Sequence, residues 1–107
     1  MTSLTRQEEQ VLLIIHHLRN SAYLVNIRET IKQMTGKYLD VGTIYVPLKR
    51  LHAKGLLAVF HGEPTAVRGG KAIKFYRLTP LGYAALAETK RIQDRLWKGV
   101  MLPDPEG

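Results

Sequence analysis

Apolar residues recur along this chain at the three-and-four spacing of a helix in four places, and in two others they gather into the short β-branched and aromatic runs of strands. The first helix is expected from Thr5 to Arg19. Thr5 with Glu8 three residues on is a capping box, and Val11, Ile14, Ile15 and Leu18 follow at helical spacing, with Leu12 and Leu13 widening the apolar face. So wide a face marks this helix as central to the core. Asn20 and Ser21 interrupt it. Asn26 with Glu29 repeats the cap signal for a short second helix, Ile27 to Thr35, whose stripe is Ile27, Ile31 and Met34 and whose end is Gly36. A third helix lies within Gly42 to Gly55, capped by Asp40 or Thr43. Ile44, Leu48 and Leu51 fall in one sector, and Gly55 stands where a left-handed residue closes a helix.

After Gly55 the period changes. Leu56 to His61 and Ala72 to Thr79 read as the strands of a hairpin, with Lys74 and Arg77 interleaved, and Gly62 to Lys71 is its long basic tip. Thr79-Pro80 then sets a cap and a first-turn proline for a last helix running to about Lys98. On that helix Leu81, Ala85, Ile92 and Leu96 form one stripe, and Tyr83, Leu86 and Trp97 lie roughly opposite. A helix apolar on two sides needs two surfaces to pack on; a domain this small supplies one, and a second copy of the helix supplies the other. Met101 to Gly107 reads as a frayed tail. Pro47 is the one residue against the third helix, since an interior proline costs about 3 kcal/mol; with Thr43 as cap it falls in the early turns and costs much less.

Composition narrows the function. One domain accounts for 107 residues, and the absence of cysteine closes off disulfides, thiolate nucleophiles and cysteine zinc sites. No run approaches the roughly 18 apolar residues of a membrane span, which predicts a cytoplasmic protein. Of the net charge of +7, most resides between Val41 and Ala87, where Lys49, Arg50, Lys54, Arg68, Lys71, Lys74 and Arg77 face Glu63 alone. A basic middle of this kind suits a polyanion, and nucleic acid before membrane. Catalytic chemistry finds no constellation. Ser3 and Ser21 lack a His/Asp pattern, the four histidines lack metal spacing, Glu8 and Glu9 sit where the helix dipole favours acids, and the Gly-rich Gly62–Lys71 segment has Thr65 and Ala72 where a phosphate loop needs Gly and Ser or Thr. No enzyme, cofactor or metal is expected.

Helix, helix, basic helix, basic hairpin and long helix is the order of an α+β, mostly helical winged helix-turn-helix: three helices and a two-stranded wing over residues 1–79, a dimerisation helix over 80–98, and a flexible tail over 99–107. The residues GTIYVPLKRLHAKGLL, RGGK and FYRLTPLGYAAL give it a specific resemblance to PadR-type transcriptional regulators, in the short form with a single C-terminal dimer helix. His52 departs from the pattern, which usually has an acid there. The resemblance implies a repressor binding a palindromic operator as a homodimer. Tyr45, Lys49 and Arg50 match the recognition helix, and Arg68 to Lys74 the wing. Physically, Lys49 or Arg50 suits guanine, Thr43 and Val46 suit thymine methyls, Tyr45 suits a phosphate, and Arg68, Lys71 and Lys74 suit phosphates or the minor groove. Leu81, Ala85, Leu86, Ile92, Leu96 and Trp97 are the expected dimer contacts. Some relatives hold flat aromatic compounds between subunits against a tryptophan of the last helix, which makes a small aromatic effector at Trp97 a further expectation. The alternative from another class is a winged-helix module that sets its basic face against an acidic protein.

Overall fold

The first helix, α1 (Arg6–Leu18), begins at its capping box: Glu8 N–H donates to Thr5 Oγ1 at 3.0 Å, and Thr5 N–H donates to Glu8 Oε1 at 2.9 Å. In the computed structural model, which describes residues 3–62 and 73–105, α1 is the central element and packs on α2 (Leu24–Thr35), α3 (Val41–Ala53), α4 (Pro80–Trp97) and the last strand. Val11, Leu12, Ile14 and Ile15 are all buried, so the wide apolar face meets neighbours on several sides, while Leu13 is exposed.

The second helix starts earlier than its sequence signal. Asn26 is not the cap. Its Oδ1 accepts the Tyr23 N–H at 2.8 Å and its amide donates to Ser21 O, so the side chain reaches back from inside the first turn to a cap at Tyr23. Ile27 and Ile31 are buried as expected, but Met34 is exposed; the helix meets the core only along its first two turns. Gly36, at φ +75, ends it.

For α3, Asp40 is the cap: its Oδ1 accepts the Thr43 N–H at 2.8 Å. Pro47 therefore stands inside the helix, in the second turn, and is buried. Its ring shares the inner side with Ile44, Leu48 and Leu51. Each of those three side chains contributes about 1.5–3 kcal/mol on burial, which outweighs a proline cost of about 3 kcal/mol. The Thr43 carbonyl that Pro47 deprives of a donor belongs to an exposed residue, where water satisfies it. At the other end Gly55 (φ +78) forms a two-bond C-cap, with its N–H donating to His52 O and Leu56 N–H to Leu51 O, both at 3.0 Å.

The wing strands are β2 (Leu57–His61) and β3 (Lys74–Leu78), antiparallel, with Val59 opposite Tyr76 and Phe60 opposite Phe75. A third strand that periodicity did not suggest, β1 (Ala22–Tyr23), pairs with β3 on its other edge, giving the order β1-β3-β2. Two residues are too few to carry an alternation. Strand pleating divides β3 between two faces. Tyr76 enters the core and Lys74 shares its side; Phe75 and Arg77 face the other way, where Phe75 stacks on Phe60 and meets Tyr23 edge-on.

The junction to α4 rests on Thr79. Its hydroxyl donates to Gly55 O at 2.7 Å and accepts the Gly82 N–H at 3.1 Å, while its own N–H donates to Leu56 O at 3.1 Å. Gly82 lies so close beneath this turn that a Cβ there would come within 2.3 Å of Leu56 O. Further along, Gln93 donates to Glu9 at 3.0 Å, tying α4 to α1. No helix among the described residues is long and apolar enough to cross a membrane.

Candidate nucleic-acid interface

Burying Ile44, Pro47, Leu48 and Leu51 leaves the opposite side of α3 to solvent by helical geometry alone. At its middle stand Gly42, Val46, Lys49 and Ala53, flanked on one side by Tyr45 and on the other by Thr43 and Arg50; all are exposed. Between Val41 and Ala53 there is no acidic side chain. Small residues at the centre let a second molecule approach the helix backbone, and cations at the edges suit an anionic one. The wing stem adds to this surface. Lys74 Nζ sits 5.8 Å from the centre of the Tyr45 ring, close enough for a cation–π contact. Thr43, Tyr45, Val46, Lys49, Arg50 and Lys74 thus share one side of the molecule; Arg68 and Lys71 lie outside the described residues.

The role of one residue behind this surface escaped the sequence pattern. Glu8, expected to serve only as a capping acid favoured by the helix dipole, is 1% exposed and does a second job. Its Oε2 lies 3.3 Å from Lys54 Nζ and 3.7 Å from an Arg50 guanidinium nitrogen. Burial pushes the Glu8 carboxyl up, but the Thr5 N–H and the Lys54 and Arg50 charges outweigh that and hold it below its ordinary value. Arg50, with 47% of its side chain exposed, is consequently tethered at one end, whereas Lys49 has no ionic partner among the described residues. A capping box is legible within four residues; a partner 46 residues away is not. At the start of α3, hydrogen bonding from Thr43 holds the Asp40 carboxyl below its ordinary value, keeping an anion at the helix N-terminus.

The residues expected at a dimer contact divide. Ala85 is buried in the protomer's own core and Leu86 packs partly against it. Leu81, Ile92, Leu96 and Trp97 are exposed, Leu96 by 73% and Trp97 by 58%, and the chain beyond continues apolar and exposed through Val100, Met101 and Leu102. Gly99 (φ +77) ends the helix, with the Val100 N–H returning to Trp97 O. Among the described residues no group of three or more His, Asp or Glu side chains is placed to hold a metal ion.

Comparison with known proteins agrees with this architecture. A structure of a transcriptional regulator from Clostridium thermocellum superposes with a TM-score of 0.72 over 86% of this chain and 84% of its own, at 20% identity, a likeness of fold. A PadR family transcription regulator from Clostridium difficile covers 91% of this chain and 95% of its own, with 26% identity and a TM-score of 0.69. In sequence, a transcriptional regulator from Mycobacterium tuberculosis is 39% identical over 66 residues, which is 62% of this chain and only 58% of that relative's length. The pattern of the PadR-like family, whose members are DNA-binding transcriptional regulators and not enzymes, matches residues 11–88. With most of its length inside that match, the chain belongs to the transcriptional regulator PadR-like family.

Proposed function

We propose that this protein is a cytoplasmic repressor that binds a palindromic operator as a homodimer, reading base edges with α3 and tracking phosphate with the wing. The observation that carries this is the acid-free outward side of α3, with Lys49 lacking an ionic partner among the described residues, Arg50 paired with Glu8, and Tyr45 and Lys74 side by side. Lys49 and Arg50 reach guanine, Thr43 and Val46 meet thymine methyls, and Tyr45, Lys74, Arg68 and Lys71 take phosphates. Pairing uses the exposed apolar residues of α4, with Ile92, Leu96 and Trp97 at its end and Leu81 at its start as anchors; Ala85 and Leu86 support the helix from beneath. The exposed ring of Trp97 at that end also gives a flat aromatic effector a surface to stack on between subunits.

The test is a fluorescence-anisotropy titration against the duplex upstream of the protein's own gene, beside a scrambled duplex, at several salt concentrations. A preference of roughly 10³-fold or more for the native duplex is expected. Lys49→Ala with Arg50→Ala is expected to remove that preference, at about 1–3 kcal/mol per lost base contact, without lowering the melting temperature by more than a few degrees. Equal binding of both duplexes by the wild-type protein overturns sequence-specific recognition of this site. Unchanged preference in the double variant overturns the assignment to α3. For the effector, quenching of Trp97 fluorescence by planar aromatics must vanish in Trp97→Ala, measured with the tyrosine signal as reference.

A further inference from the structure

We propose that the hollow between the end of α1, the stem of β3 and the start of α4 binds a small oxyanion, the phosphate or carboxylate group of a metabolite. The hollow has a volume of about 280 Å³, and His16, Arg19, Asn20, Arg77 and Tyr83 line it. That is just under the roughly 300 Å³ at which pockets begin to hold drug-sized ligands, so it fits a fragment built around one anionic group.

Charge is the first ground. Two arginines line one concavity, no carboxylate lines it, and neither arginine has an ion-pair partner among the described residues. Arg77 lies over the Phe60 ring at 5.4 Å, which orients its planar fork without neutralising it. Guanidinium forks bind carboxylate and phosphate oxygens in pairs, and an amide and a phenol beside them supply further donors. Here the Tyr83 hydroxyl and His16 Nδ1 stand 3.0 Å apart and fix one another, which preorganises that wall.

Position is the second ground. Arg77 projects from the side of β3 opposite Lys74 and Tyr76, away from α3, so it takes no part in the basic surface around Lys49. The cations of this hollow are therefore separate from that surface. Arg19 supplies a third ground. The chain leaves α1 through this residue at φ +55, a conformation that side-chain-bearing residues rarely adopt and that glycine adopts freely. An arginine stands where glycine is the unstrained choice, and its side chain lines the hollow. This site stands apart from the DNA-binding reading and does not depend on it.

The experiment is an NMR titration of the full-length, ¹⁵N-labelled protein with inorganic phosphate, and separately with malonate, at ionic strength held constant with sodium chloride. Saturable shifts of the backbone amides of Arg19, Asn20, Arg77 and Tyr83 are expected, with at least tenfold weaker binding in Arg19→Gln/Arg77→Gln. A response to phosphate alone assigns a phosphate-bearing ligand, and a response to malonate alone a carboxylate; either supports the site. Shifts that follow ionic strength only, that centre on Lys49 and Arg50, or that persist unchanged in the double variant overturn it. Single Arg77→Gln and Tyr83→Phe variants, which leave the Arg19 turn intact, must weaken binding in the same direction.

Discussion

The outward side of α3 and the outward end of α4 are both exposed, yet they offer different chemistry. On α3 the exposed positions mix small and cationic residues with Val41, Val46 and the Tyr45 ring, and Lys49 and Arg50 stand among them. On α4 they are Ile92, Leu96 and Trp97, continued by Val100, Met101, which is 92% exposed, and Leu102. A cationic surface is content in water and gains from a polyanion; a contiguous apolar one is a cost in water until something covers it. The difference says that the two ends await different kinds of partner, and that one of them is better satisfied by another protein surface.

Changing Leu96 and Trp97 together to lysine erases that contrast and carries the largest expected effect. Two apolar anchors at about 2 kcal/mol or more each amount to a loss of about 1,000-fold or more in self-association, read by sedimentation velocity, with the circular dichroism of the monomer unchanged. A wild-type chain already monomeric at tens of micromolar would remove the basis for pairing through α4. Next comes Gly82→Ala, which drives a methyl into the Leu56 carbonyl between the two ends. About 1–3 kcal/mol of stability is expected to go, a fall of several degrees in melting temperature. Thr79→Ala, which removes the α4 cap and its link to Gly55, is expected to cost about 1 kcal/mol.

Glu8→Gln has the smallest effect on stability and the sharpest effect on the basic end. It keeps the shape and the Thr5 bond while releasing Arg50 and Lys54, so non-specific DNA binding is expected to strengthen and its salt slope to steepen by about 1–2, at the expense of sequence preference. Because the folded-state value of Glu8 is depressed, its charge stabilises the fold fully above the ordinary glutamate range and ceases to as pH falls through the lowered value. The melting-temperature gap between wild type and Glu8→Gln is therefore expected to be widest at neutral pH and to narrow as pH falls below the ordinary glutamate range.

Signals confined to a few neighbouring residues were legible in the sequence: the Thr5–Glu8 box, the Gly55 stop, the Thr79-Pro80 start and the stripes of α1 and α3 all reappear in the structure. Where two local chemistries competed, the pattern misled. Asn26 looks like a cap but bonds backwards to Tyr23 from inside the helix, and Met34 keeps the spacing of Ile27 and Ile31 at a point where α2 has already left the core. What depends on distant partners left no local trace. The β1–β3 pairing, the grip of Glu8 on Lys54 and the hollow that Arg19 and Arg77 both line each depend on residues brought together only by folding.

The shared hydroxyl of Thr79 turns the molecule into a ruler. It bonds the Gly55 turn that closes α3 on one side and the first turn of α4 on the other, with Gly82 leaving no slack beneath Leu56. In a pair of copies joined through their distal helices, the gap between the two α3 surfaces is thereby set by α4 and not by anything that touches a base. The spacing of an operator's two halves would then be inherited through a threonine and a glycine, and a regulator could change which sites it fits while keeping every base contact it makes.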